Sequence, residues 1–144
     1  MGQKRSKPSA RPEWAPDLRS WLATLESHNE LRRIGAEVDW NQEIGAITRI
    51  NLAQQGPGLL FENIRGYRDT PCTKFLTGSL GNRRHVCLLL GLPLDTADRA
   101  IVAHLKRRYR EGVPYVEVDT GPVKTHKQTG DDIDLTKFPV PHWH

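Results

Sequence analysis

Histidine is the side chain best suited to moving protons or holding a metal near neutral pH. This sequence spreads six of them, at His28, His85, His104, His126, His142 and His144. Only His142 and His144 stand close, as His-x-His. Alternate residues of an extended strand face the same side, so this pair could offer two imidazoles to zinc; a catalytic zinc needs a third protein ligand, and none is evident nearby. A metal-dependent hydrolase built on the pair is the weaker reading, and with Trp143 between them the rings read better as linker or interface residues. Asp131, Asp132 and Asp134 form an acidic cluster, but the twelve-residue calcium loop with its terminal Glu is incomplete. Turn and cap duty fits them better, with Asp132 or Asp134 opening a short helix through Leu135 to Phe138.

Two glycine clusters could cradle a phosphate. Gly56-Pro57-Gly58 comes before a strand instead of after one, and Gly78-Ser79-Leu80-Gly81-Asn82 has neither the P-loop lysine nor dinucleotide spacing. Plain turns are the simpler reading of both. Lys106-Arg107-Arg108-Tyr109-Arg110 is the one dense basic patch with an aromatic inside it, a composition that can follow a nucleic-acid backbone. Cations at the end of a helix also stabilise that helix without any partner. No nucleophile elbow and no Cys/His catalytic signature is present. Composition and spacing assign no catalytic, cofactor-binding or metal-binding position to any residue.

The elements that must carry these groups come from a chain of 144 residues, 37% hydrophobic and 26% charged, which suits one globular domain with one core. Lys and Arg number 21 against 17 acids, but Lys4, Arg5, Lys7 and Arg11 all precede the first acid, Glu13. Without them the charges balance, so the basic character belongs to an N-terminal arm and not to the fold. Cys72 and Cys87 are the only cysteines, which disfavours a disulfide framework and fits a reduced, cytoplasmic setting. The longest apolar run, Val86 to Leu90, is far shorter than the roughly 18 residues of a membrane span. Pro8, Pro12 and Pro16 stand where a secretion signal would need an apolar stretch.

Residues 1–16 read as a flexible basic arm. Leu18, Trp21, Leu22 and Leu25 then place one apolar face on a helix capped by Asp17 and running to about Ser27. Leu31 to Trp40 reads as extended. Asn41 is placed to cap a second helix, which Gly56-Pro57-Gly58 ends. Leu59-Leu60-Phe61 reads as a short buried strand, and Cys72 to Leu76 as a strand beside it. Asn82 to Leu90 predicts a short helix. Asp95 to Asp98 supplies a capping residue and an acid to open a longer one, with Ile101, Val102, Leu105 and Tyr109 on one face and Gly112 and Pro114 at its end. Tyr115 to Val118 and Val123 to His126 have strand character. The order predicts an α/β or α+β domain over residues 17–128, helices interleaved with a small mixed sheet. Residues 129–144 read as a turn and a proline-rich linker, whose end at Phe138 to His144 looks like a segment needing something to pack on.

Several stretches, taken in order, resemble one family. DLRSWLATLESHNELRRI at Asp17 to Ile34, EVDWNQEIGAITRI at Glu37 to Ile50 and GPGLLFENIRGY at Gly56 to Tyr67 are followed by GSLGNRRHVCLLLGL at Gly78 to Leu92 and TGDDIDLTKFPVPHWH at the end. Together they resemble the opening of the UbiD family of carboxy-lyases, over nearly all of residues 17–144.

The resemblance implies a reversible decarboxylase of aromatic, heteroaromatic or α,β-unsaturated acids that uses prenylated FMN, with a divalent metal such as manganese and often potassium. In that family an N-terminal α/β domain precedes a flavin-binding domain and an oligomerisation domain. The family's metal ligands, flavin contacts and catalytic residues lie beyond the PxPxWH stretch, so no site residue is carried over. What is implied is an N-terminal domain or split subunit, inactive alone, whose partner is the flavin-binding catalytic polypeptide and whose cofactor a flavin prenyltransferase supplies. A small basic nucleic-acid-binding module using the arm and Lys106 to Arg110 is the alternative.

Overall fold

The computed structural model describes residues 17–112, 115 and 117–143. The N-terminal arm, Pro114 and His144 lie outside the described residues.

Helix α1, Leu18–Ser27, starts where Asp17 accepts a hydrogen bond from the Ser20 N–H at 2.8 Å, as the cap pattern predicts. Trp21 and Leu25 supply its buried face. Asn29, at φ 57°, turns the chain into strand β1, Leu31–Ile34. Helix α2, Glu43–Ala53, crosses over to strand β2, Gly58–Phe61, which runs parallel to β1 with Leu31 opposite Gly58 and Ile34 opposite Phe61. Strand β3, Phe75–Thr77, returns antiparallel on the other side of β2. The sheet order is therefore β1-β2-β3, a mixed sheet with β2 in the middle. A central strand covered on both faces needs an unbroken apolar run, and all four residues of β2 are buried.

Two clusters form the core. Val38, Ile44, Leu59, Phe61 and Ile64 pack beneath α2, joined by Ile34 and Phe75. Trp21, Leu25 and Leu88 pack α1 against helix α3, Arg83–Leu90, joined by Leu31. Leu31 and Ile34 are an odd number of residues apart on one strand and so face opposite ways. The sheet accordingly separates the two clusters.

Helix α3 is capped by Asn82, which accepts from the His85 N–H at 3.0 Å, and ends at Gly91 in the left-handed conformation. Helix α4, Asp98–Glu111, follows. Beyond it the described residues form short 3-10 turns, at Pro122–Lys124, Gly130–Asp132 and Leu135–Lys137, and an isolated bridge from His142 to Asn41.

Four sequence expectations are corrected. Asn41 does not cap α2: the cap position falls to Gln42, at φ 69° and with no side-chain bond, while Glu43 reaches back to accept the Asp39 N–H at 2.7 Å. No side chain caps α4 either, since Ala97 holds that position and the Thr96 hydroxyl donates to the Pro93 carbonyl. The second strand begins at Phe75 instead of Cys72, because the Thr70 hydroxyl bonds the carbonyls of both Tyr67 and Cys72 and keeps that stretch in a turn. No strand forms among the described residues of Tyr115 to Val118 or at Val123 to His126, where Pro122 opens a 3-10 turn instead.

Candidate functional site

Glu30 closes the turn after α1, and His85 sits in the first turn of α3. Their side chains meet in the interior, His85 Nε2 lying 3.0 Å from Glu30 Oε2. His85 is fully buried and Glu30 is nearly so. Arg84 donates to the other carboxylate oxygen, and Asn82 donates to the backbone carbonyls of Gln55 and Gly56 at 3.3 Å each. This polar cluster thus joins the end of α1, the approach to β2 and the start of α3.

Its protonation follows from its surroundings. Burial alone would push the Glu30 carboxyl up, but the Arg84 hydrogen bond and charge, helped by Asn82, outweigh it and hold the group below the usual carboxylate range. Burial pushes His85 down against the pull of that carboxylate. A neutral imidazole beside an ionised carboxylate donates to it from Nε2. The pair is a buried contact that ties α1 to α3, with the half-exposed Arg84 at its outer side.

A second constellation lies at the end of the described chain. The His142 N–H donates to the Trp40 carbonyl at 3.0 Å, the Gln42 N–H donates to the His142 carbonyl at 2.8 Å, and His142 Nδ1 lies 2.8 Å from Asn41 Oδ1. Pro139 and Pro141 are buried, and Trp143 stacks 6.5 Å from Phe75 at a tilt of 60°. Gly45 makes this docking possible, because a Cβ there would stand 3.0 Å from Trp143 Cε3 and 3.2 Å from its Cα. The proline-rich end therefore packs on its own domain, though Phe138 and Trp143 remain 42% and 43% exposed.

The other candidate residues are not brought together. His28 bonds the Thr24 carbonyl, His104 contacts Arg107, and His126 is exposed. Among the described residues no three His, Cys, Asp or Glu side chains converge as a metal site would require. Asp134 caps the turn at Leu135 by accepting the Thr136 N–H at 3.0 Å, as expected, and Asp131 and Asp132 lie in the preceding turn. Gly78 takes a left-handed conformation, and its carbonyl accepts the Gly81 N–H at 2.9 Å in a tight turn. Lys106, Arg107, Arg108 and Arg110 lie along the outside of α4, with Glu111 within 3.8 Å of Arg107 and 3.7 Å of Arg108.

The Glu30–His85 contact was missed by sequence reasoning. A histidine at the third position after a capping Asn, inside an otherwise apolar helix, was the available signal; its acidic partner is 55 residues away.

Residues 22–105, more than half of the chain, match the sequence model of the 3-octaprenyl-4-hydroxybenzoate carboxy-lyase N-terminal domain. The chain is 36% identical over 138 residues to pyrrole-2-carboxylic acid decarboxylase of Pseudomonas aeruginosa, covering 90% of this chain and 27% of that protein. It is 33% identical over 141 residues to ferulic acid decarboxylase 1 of Candida dubliniensis, covering 88% and 28%. Among solved structures, it resembles an evolved dimeric form of the UbiD-class enzyme HmfF from Pelotomaculum thermopropionicum in complex with prFMN. That match has a TM-score of 0.73 and 31% identity over 90% of this chain and 29% of the other. The closed form of vanillic acid decarboxylase from Sedimentibacter hydroxybenzoicus matches with a TM-score of 0.61 and 29% identity, over 69% and 20%. The chain spans about a quarter of the length of the curated relatives it matches. With its α/β fold and this match, the chain belongs to the UbiD family of carboxy-lyases, whose N-terminal domain it carries.

Proposed function

We propose that this chain serves as the N-terminal domain, or as a separate N-terminal subunit, of a decarboxylase acting on aromatic or heteroaromatic acids. The observation that carries the reading is an asymmetry of coverage. Relatives named as decarboxylases of pyrrole-2-carboxylic, ferulic and phenolic acids align with at least 83% of this chain, yet this chain accounts for no more than 28% of each of them.

Prenylated FMN is the cofactor this family implies, with a divalent metal, manganese, and potassium beside it. The residues described here do not fit that group. A metal site needs converging donor side chains, whereas no three converge among the described residues and the buried His85 imidazole is committed to Glu30. No step of the reaction is assigned to residues of this chain, and the flavin belongs on the flavin-binding catalytic polypeptide that completes the enzyme. A flavin prenyltransferase would supply it. The domain's part is to cover that polypeptide and help shape or close the substrate side, in a cytoplasmic assembly. No helix of the described residues is long and apolar enough to cross a membrane.

The test is to produce the chain together with the flavin-bearing remainder and a flavin prenyltransferase, then to measure CO2 release from pyrrole-2-carboxylate, ferulate and vanillate. Turnover of at least one is expected. An assembly loaded with prenylated FMN that releases CO2 from no aromatic or heteroaromatic acid would overturn the reading.

A further inference from the structure

We propose that the apolar stripe on α4 is the surface through which this chain docks onto the flavin-bearing part of its enzyme, at a site with an apolar centre and an acidic rim. The proposal rests on the reading that the chain serves a larger carboxy-lyase.

Ile101, Leu105 and Tyr109 follow one another at four-residue steps and so line one side of α4, with Val102 beside them. Ile101 is buried in the body of the domain, but Val102 and Leu105 are 49% and 44% exposed and Tyr109 is 91% exposed. The stripe starts as core and continues into solvent. Downstream, Tyr115, Val118 and Leu135 are exposed as well. More than half of the exposed large apolar side chains among the described residues fall between Val102 and Trp143. Neighbouring exposed apolar side chains on one helix face, as at Val102, Leu105 and Tyr109, mark an interaction site, whereas single exposed residues need no explanation.

Charge decides the occupant. Helix α4 carries Arg99, Lys106, Arg107, Arg108 and Arg110 against only Asp98 and Glu111. A second copy of the same helix would bring cations against cations at both flanks, which disfavours self-pairing. Nucleic acid would use the cations but leave Val102 and Leu105 without a counterpart, since phosphate contacts dominate such binding. An acidic protein surface with an apolar centre satisfies both features. The relatives supply the room for one, because most of their length lies outside the part this chain matches.

Hydroxyl-radical footprinting of the chain, alone and assembled with the flavin-bearing remainder, reads Tyr109 and Leu105 directly. Assembly is expected to slow labelling of both at least about tenfold, and Leu105→Asp or the pair Lys106→Glu and Arg110→Glu to weaken association at least about tenfold. Circular dichroism checks that each variant stays folded. An active assembly in which both residues label as fast as in the lone chain would overturn the docking surface while leaving the proposed function standing. Failure to associate at all would overturn both. Protection of the lone chain that grows with its own concentration, or that appears only with RNA and vanishes steeply with salt, would also overturn the proposal.

Discussion

His85 Nε2 lies 3.0 Å from Glu30 Oε2 in the interior, so a turn after the first helix and the start of the third are held by one contact between residues 55 apart in sequence. Removing the acid strands a buried imidazole donor. Glu30→Ala is expected to lower unfolding free energy by about 2–3 kcal/mol. Glu30→Gln keeps an acceptor for the ring and gives up only the bond to Arg84, which is half exposed, so it should cost about 1 kcal/mol. Urea denaturation of both variants at pH 7 checks the order.

The same pair sets an acid limit. His85 is held below its ordinary value of 6.5, so the unfolded chain takes up a proton before the folded one as pH falls. Its contribution is complete above pH 6.5 and is lost as pH drops toward the folded value. Glu30, held below its ordinary 4.5, acts in the same direction at lower pH. Stability should therefore decline as pH falls below 6.5, and an NMR titration should show the His85 ring taking up its proton at a lower pH than a free imidazole does. A ring that takes up its proton above pH 6.5 would contradict the burial argument.

Asn82 joins two functions in one side chain, accepting the His85 N–H and donating to the carbonyls of Gln55 and Gly56. Losing a cap costs about 1 kcal/mol, and the two carbonyls lose a partner as well. Asn82→Ala is expected to destabilise by about 1.5–2.5 kcal/mol in thermal or urea unfolding, whereas Asn82→Asp should keep the cap but lose the donor and set a second carboxylate against Glu30, so it should destabilise too.

Much of this fold was legible from local chemistry. Asp17 opens its helix as its residue type demands, a helix was expected where α3 forms, and the apolar run at Leu59 to Phe61 is the buried central strand. The errors came where long-range contacts override local preference. Asn41 looks like a cap, but its side-chain oxygen meets His142, 101 residues later. Val123 to His126 has strand-forming residues, but Pro122 opens a 3-10 turn there. In the interior cluster, His85 sat in a readable helix, while its acidic partner could be found only once β1 and α3 were placed together.

The packing of the proline-rich end depends on Gly45. Gly45→Val would push a branched side chain into Trp143 while improving helix propensity, since Gly is the weaker helix former by about 0.5 kcal/mol or more. Expected is loss of amide-exchange protection at Gln42 and His142 with the helical circular dichroism unchanged. Retained protection at both amides would show that the strap does not need the gap.

In the proposed function, this domain serves a carboxy-lyase whose flavin is carried elsewhere. This is tested most directly by measuring CO2 release from aromatic acids by the flavin-bearing remainder, with and without this chain, while the flavin on each polypeptide is quantified. The expected result is turnover that depends on this chain, with prenylated FMN on the remainder alone. Stoichiometric flavin and unaided CO2 release on this chain by itself would contradict it.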